Sequence, residues 1–118
     1  MSESFAAYMP HIRERRRQER AAWEMRRERA WESARRIAAC LRGEFGATRV
    51  LVFGSLARQG RFDQWSDIDI AVSGIAARDF YAAVARALGL SEFQLDVVDL
   101  EDCAASLREI ISREGVAI

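Results

Sequence analysis

The chain has 118 residues, with 18 arginines, no lysine and 18 acids, a length that admits one domain of roughly 100 to 150 residues and excludes two large ones. At 50% hydrophobic and 31% charged, its composition is that of a soluble globular protein rather than a disordered, collagen-like or disulfide-framework chain. The zero net charge is an average: residues 1–48 hold 11 arginines against 7 acids, and residues 49–118 hold 7 against 11. The longest apolar run, Phe80 to Ala85, is far short of the roughly 20 residues that span a bilayer. Ser2 to Arg13 lacks the basic start and apolar stretch of a signal peptide, so a cytoplasmic location is expected. Cys40 and Cys103 sit in helix-like segments and read as small buried apolar residues in a reducing compartment, not as a metal site.

From Pro10 to about Leu41 there is no glycine and no further proline, and arginine, alanine and glutamate dominate, which predicts one long helix. Trp23, Ala30, Ala34, Ile37, Leu41 and Phe45 follow the spacing of one buried stripe, and Gly43 and Gly46 are expected to end the helix. Arg13 to Arg20 has little to bury and is expected to project, the roughly 30 helical residues reaching about 45 Å. Glu14, Glu19, Glu24, Glu28 and Glu32 are interleaved with the arginines, so a solvated face is favoured over a nucleic-acid patch, with a partner-binding surface as second choice. Trp23 and Trp31 do not share one narrow stripe, so at least one is expected to be half exposed.

Beyond Gly46 the periodicity changes. Arg49 to Phe53 and Asp67 to Val72 read as strands, the second alternating acid and aliphatic. Ala76 to Leu88 reads as a helix with Phe80, Val84, Ala87 and Leu88 on one face and Gly89 as its stop. Phe93 to Leu100 is a third strand. Glu101 to Arg113 closes the chain as a helix, with Glu101 and Asp102 in its first turn and Leu107, Ile110 and Ile111 on its apolar face. The fold class that follows is α+β: a small mixed sheet of about three to four strands flanked by helices, with a long N-terminal helix.

The chemistry lies in the acids. Asp67 and Asp69 are two apart on a strand, so both leave one face while Ile68, Ile70 and Val72 leave the other. Aspartate is depleted in strands, and like charges a few ångströms apart repel unless one is protonated or a cation lies between them. Oxygen ligands of this kind suit magnesium, usually held by one or two carboxylates with water and substrate phosphates. Asp96 in the next strand would join them if the strands are neighbours. Asp99, nearer the strand end, is expected to cap the following helix. Gly54-Ser55 directly follows the first strand, where glycine lets backbone N–H groups approach a phosphate and serine adds a donor. For Ser55 and Asp67 to meet one nucleotide, the first two strands must pair antiparallel. Arg58 and Arg61 lie in the connection and could neutralise triphosphate charge.

The run GSLARQGRFDQWSDIDIAV, followed by LDVVDL, closely resembles the minimal nucleotidyltransferase family, small relatives of the polymerase beta nucleotidyltransferase fold. The resemblance covers about residues 35–118, leaving residues 1–34 as an arginine-rich helical extension. It implies that Gly54 and Ser55 hold a nucleotide triphosphate, that Asp67 and Asp69 bind magnesium, and that Asp96 completes a catalytic and metal-binding set, with Arg58 among the nucleotide-binding residues. One departure is that eleven residues, Leu56 to Ser66, separate Ser55 from Asp67 where the family usually has ten; the extra residue falls at Gln59 or Gly60.

The implied reaction transfers a nucleoside monophosphate, AMP from ATP, to an acceptor with release of pyrophosphate, using two Mg2+ ions. The implied partner is a HEPN-like helical toxin, with this chain as antitoxin and the toxin as acceptor. Two alternatives stand beside it. One is a non-catalytic module that grips a partner, or a second copy of itself as a homo-oligomer, through the long helix. The other is nucleotide transfer to a small molecule, less favoured because such enzymes generally carry an additional domain. Neither a membrane nor direct nucleic-acid binding is expected.

Overall fold

The computed structural model describes residues 2–60 and 62–118, with side chains from Met9 onward; Arg61 lies outside the described residues. The arginine-, alanine- and glutamate-rich segment forms one helix, α1, from Ser2 to Phe45, longer at both ends than the sequence predicts. Pro10 lies inside it, costing the helix one N–H, and exposed Gly43 is absorbed for about 1 kcal/mol relative to alanine. The stop is Gly46, whose positive φ of 74° places it in the left-handed region while its N–H bonds back to the Arg42 carbonyl at 3.2 Å. Forty-four residues at about 1.5 Å each give a rod of about 66 Å. The molecule accordingly measures 67 × 28 × 18 Å.

Only the second half of α1 meets the core. Ala30, Ser33, Ala34, Ile37, Ala38 and Leu41 are buried, whereas every residue from Arg13 to Arg20 is exposed, as expected. Trp23 and Trp31 are both half-buried.

The strands are β1 (Arg49–Phe53), β2 (Ile68–Ser73), β3 (Leu95–Asp99) and β4 (Val116–Ala117), in the order β3-β2-β1-β4. β1 pairs antiparallel with β2 and with β4, and β2 pairs parallel with β3. Val50, Val52, Ile68, Ile70 and Val72 face the main core beneath α1 and helix α2 (Phe80–Leu90). Leu51, Phe53 and Ala71 face the other way, covered by Leu100 and by Ile111 of helix α3 (Ala105–Glu114).

Several boundaries differ from expectation for local reasons. A 3-10 turn, Ala77–Asp79, precedes α2, which runs through Gly89 and stops at Ser91, where the hydroxyl bonds both the N–H and the carbonyl of Phe93. Its buried face is Ala83 and Ala87, with Phe80 and Val84 only half-buried and Leu88 exposed; small residues let the helix lie close to its neighbours. Glu101 and Asp102 are not in a helical first turn. Asp99 accepts the Glu101 N–H, Asp102 N–H bonds the Asp99 carbonyl, and α3 starts only at Ala105, so Asp99 holds a turn rather than capping a helix. The Glu101 carboxylate instead ties Ser73 and Gly74 at the end of β2. The cysteines are half-buried, not buried, because Cys40 donates to Glu44 at 2.9 Å on the surface.

Candidate active site

The paired strands carry the acids to one place. β1 ends at Phe53, opposite Asp69, and Asp69 is in turn the register partner of Asp96 on β3. Asp69 and Asp96 thus stand side by side on the α3-bearing face, beyond the apolar patch of Leu51, Ala71 and Val98. Alternation along β2 sends Ile68 and Ile70 into the core and leaves Asp69 half-buried on this opposite face. Asp67 lies one residue before β2 and is exposed, as is Asp96.

Gly54 completes the arrangement. It turns the chain at the end of β1 with φ +69°, and a Cβ there would strike the Asp69 carboxylate, whose Cγ would lie only 3.2 Å away. Glycine is therefore required twice, by the left-handed backbone and by the carboxylate packed against it. Gly54–Leu56 is a single 3-10 turn, and the Gly54 carbonyl accepts the N–H groups of Ala57 and Arg58, both at 3.1 Å. Ser55 sits half-buried at this turn, and Leu56 anchors it in the core.

The electrostatics report the crowding. The Asp69 carboxyl is pushed up from 3.8 to about 6, first by burial and then by the charges of Asp96 and Asp67, with the Arg58 guanidinium acting in the opposite direction. Arg58 is exposed and donates to Glu114 at the end of α3, at 3.3 and 3.2 Å, so it stands between α3 and the acids. An ion pair this open to water contributes little to stability. A carboxyl held up in this way beside two other carboxylates favours a cation among them. Among the described residues no three His, Cys, Asp or Glu side chains form a ready-made cage. The oxygen donors that Asp69 and Asp96 present side by side are of the type a magnesium ion takes, together with water and substrate phosphates.

The loop between β1 and β2 is held by residues that composition and periodicity did not single out. Arg27 of α1 donates to the carbonyls of Leu56, Arg58 and Gly60 at 2.7, 2.6 and 3.3 Å. Its neighbour Arg26 donates to the Asp63 carbonyl at 3.0 Å and lies over the rings of Phe93 and Phe62, at 4.8 and 5.8 Å from their centroids. Phe62 is wholly buried and meets Phe93 edge to face, and Asp63 accepts the Trp65 N–H and the Ser66 hydroxyl. The available sequence signal was Phe62, one of two aromatics in a polar loop, of which Phe62 is buried and Trp65 exposed.

Residues 35–118, well over half of the chain, match the family described as Polymerase beta, Nucleotidyltransferase. No curated protein sequence is significantly similar to this chain. Among solved structures, one described provisionally as a minimal nucleotidyltransferase is 32% identical, with 83% of this chain and 94% of that one covered and a TM-score of 0.55. A chain of a toxin–antitoxin complex with AMP-PNP is 22% identical over 71% of this chain and 70% of that one, at a TM-score of 0.60. A complex of MNT antitoxin with tri-AMPylated Shewanella oneidensis HEPN toxin gives 20% identity, 75% and 70% coverage and a TM-score of 0.58. Among the described residues no helix is long and apolar enough to cross a membrane.

Proposed function

Because this chain belongs to the Polymerase beta nucleotidyltransferase family, we propose that it transfers AMP from ATP to a hydroxyl of a partner protein, and that it serves as the antitoxin of a HEPN-type toxin. The observation that carries this reading is the juxtaposition of Asp69 and Asp96 on neighbouring strands, with exposed Asp67 just before β2 and Gly54 folded against Asp69. The AMP-PNP complex and the AMPylated toxin complex among the structural neighbours support the choice of nucleotide and acceptor. Residues 35–118 are the proposed nucleotidyltransferase domain and residues 1–34 its arginine-rich extension, whose last turns pack against it. A cytoplasmic location is part of the same reading.

In the proposed mechanism, backbone N–H groups after Gly54 and the Ser55 hydroxyl bind the triphosphate, and Arg58 can swing from Glu114 to meet its charge. Asp67 and Asp69 would hold magnesium, with Asp96 completing the set; when bound, two such ions neutralise the triphosphate and fix its oxygens. Asp96, which is exposed, would orient the acceptor hydroxyl and take its proton. The hydroxyl oxygen bonds the α-phosphorus in line as the bond from that phosphorus to the β-bridging oxygen breaks, and pyrophosphate leaves. The test is the intact mass of a co-purifying partner after incubation with this protein, magnesium and ATP, with Asp67→Ala and Asp69→Ala as controls. A gain of one or more AMP groups that both variants abolish is expected; an unchanged mass in every sample refutes the reading.

The exposed arginines of α1 favour a second reading, in which the helix neutralises the partner by grip alone. It predicts that the aspartate variants neutralise fully and that deletion of residues 1–20 abolishes neutralisation.

A further inference from the structure

The carbonyls of Leu56, Arg58 and Gly60 lie in the connection between β1 and β2, outside the strands. One side chain gathers all three. The Arg27 guanidinium spans them with Nη2 and Nη1, reaching across 29 to 33 residues of sequence from α1. A planar guanidinium has five donors spread over three nitrogens, so it can bridge carbonyls several ångströms apart, which a lysine ammonium on a single nitrogen cannot. The clamped segment begins at the very turn whose Gly54 carbonyl receives the Ala57 and Arg58 N–H groups, and it carries the Arg58 side chain that acts on Asp69. On the other side, Arg26 fixes the loop's second half through Asp63 and the Phe62–Phe93 pair. Two consecutive arginines of the helix thus reach both ends of the loop, and of the two it is Arg27 that reaches the end next to Gly54-Ser55.

We propose that Arg27 is a positioning residue for the nucleotide: it touches no substrate, and it fixes residues 56–60 so that the turn after Gly54 and the Arg58 guanidinium meet the triphosphate in a set geometry. This rests on the nucleotidyltransferase reading above. It also gives the α1 extension a part in the site, because a residue outside the matched 35–118 segment shapes it.

The test compares the 118-residue protein with Arg27→Met, Arg27→Lys and, as a control on the same helix, Arg29→Met, whose side chain pairs with exposed Glu92. Amide hydrogen exchange of Ala57 and Arg58 and equilibrium binding of ATP with magnesium are measured on each, together with Tm. Arg27→Met is expected to speed exchange at both amides by about tenfold or more and to weaken ATP binding by about tenfold, with β1 amides unchanged. Arg27→Lys is expected to fall between, and Arg29→Met to match the wild type. If Arg27→Met does not fold, the lysine variant carries the comparison. Unchanged exchange at Ala57 and Arg58, or faster exchange with unchanged ATP affinity, overturns the positioning role alone. Absence of ATP binding by the wild-type protein overturns the nucleotidyltransferase reading, and the proposal with it.

Discussion

Replacing Asp69 by asparagine is expected to stabilise the metal-free protein at neutral pH, although Asp69 stands at the centre of the candidate site. Its carboxyl titrates near 6 in the folded chain against 3.8 ordinarily, so ionisation is harder folded than unfolded. The sign follows from linkage. Below about pH 3.8 the group is neutral in both states and costs nothing; as pH rises through about 6 the unfolded chain has already released its proton and the folded chain loses relative stability. The displacement is roughly two pH units at about 1.4 kcal/mol each, an upper bound of about 3 kcal/mol. Because Asp69 is only half-buried, solvent screening reduces this to about 1–2 kcal/mol. Urea unfolding in EDTA reads the difference directly. Near pH 8 the variant is expected to exceed the wild type by that amount, and near pH 4 the advantage is expected to shrink to a few tenths of a kcal/mol. Magnesium at pH 8 is expected to stabilise the wild type more than the variant, because the ion relieves the repulsion that asparagine has already removed. An equal stability at pH 8, or an advantage that does not shrink on acidification, refutes the raised Asp69 carboxyl and with it the combined effect of burial and of the Asp96 and Asp67 charges.

Other substitutions test the surrounding architecture. Gly54→Ala forces a Cβ against Asp69 from a left-handed backbone and is expected to cost about 1–2 kcal/mol or more by denaturant unfolding, part of which Asp69→Ala restores. Arg58→Gln removes the charge that counters Asp96 and Asp67, so the Asp69 carboxyl, followed by carbon-13 NMR titration, is expected to rise further above its wild-type value. Ile37→Ala, wholly buried on α1, is expected to cost about 2–5 kcal/mol, whereas changing Arg15, Arg16 and Arg17 together to glutamine is expected to shift stability by no more than about 0.5 kcal/mol. Among the described residues the buried Ser33 hydroxyl has no hydrogen-bond partner, so Ser33→Ala is expected to be neutral or to stabilise by about 1 kcal/mol.

What the chain disclosed in advance was set by periodicity. Alternation in DIDIAV fixed which faces Ile68, Ile70 and Asp69 take, and the 3.6-residue stripe fixed Ala30, Ala34, Ile37 and Leu41 as the core side of α1. Antiparallel pairing of β1 with β2 followed from asking how Ser55 and Asp67 could meet. Boundaries were less legible because they depend on single side-chain bonds: Ser91 rather than Gly89 ends α2, and the Asp99 and Glu101 carboxylates build a turn where their charge suggested a helix start. β4 is two residues long and exists because Val116 and Ala117 find β1, a partner more than sixty positions away. The roles of Arg26 and Arg27 were hidden for the same reason. Their partners lie about thirty residues or more along the chain, and by local pattern they look like any other arginine on a solvated helix.

α1 runs from the core out to Arg13 as one unbroken helix, so its exposed arginines have a fixed azimuth about the rod as well as a fixed distance from the acids. Each residue added between Arg20 and Arg26 would advance the arm by about 1.5 Å and rotate it by about 100°. Only additions of about seven or eleven residues would bring the arginines back into phase with the face of the domain they now share. A partner that touches both arm and acids therefore has its docking angle written in the helical repeat, and a flexible linker of equal length would leave that angle unset.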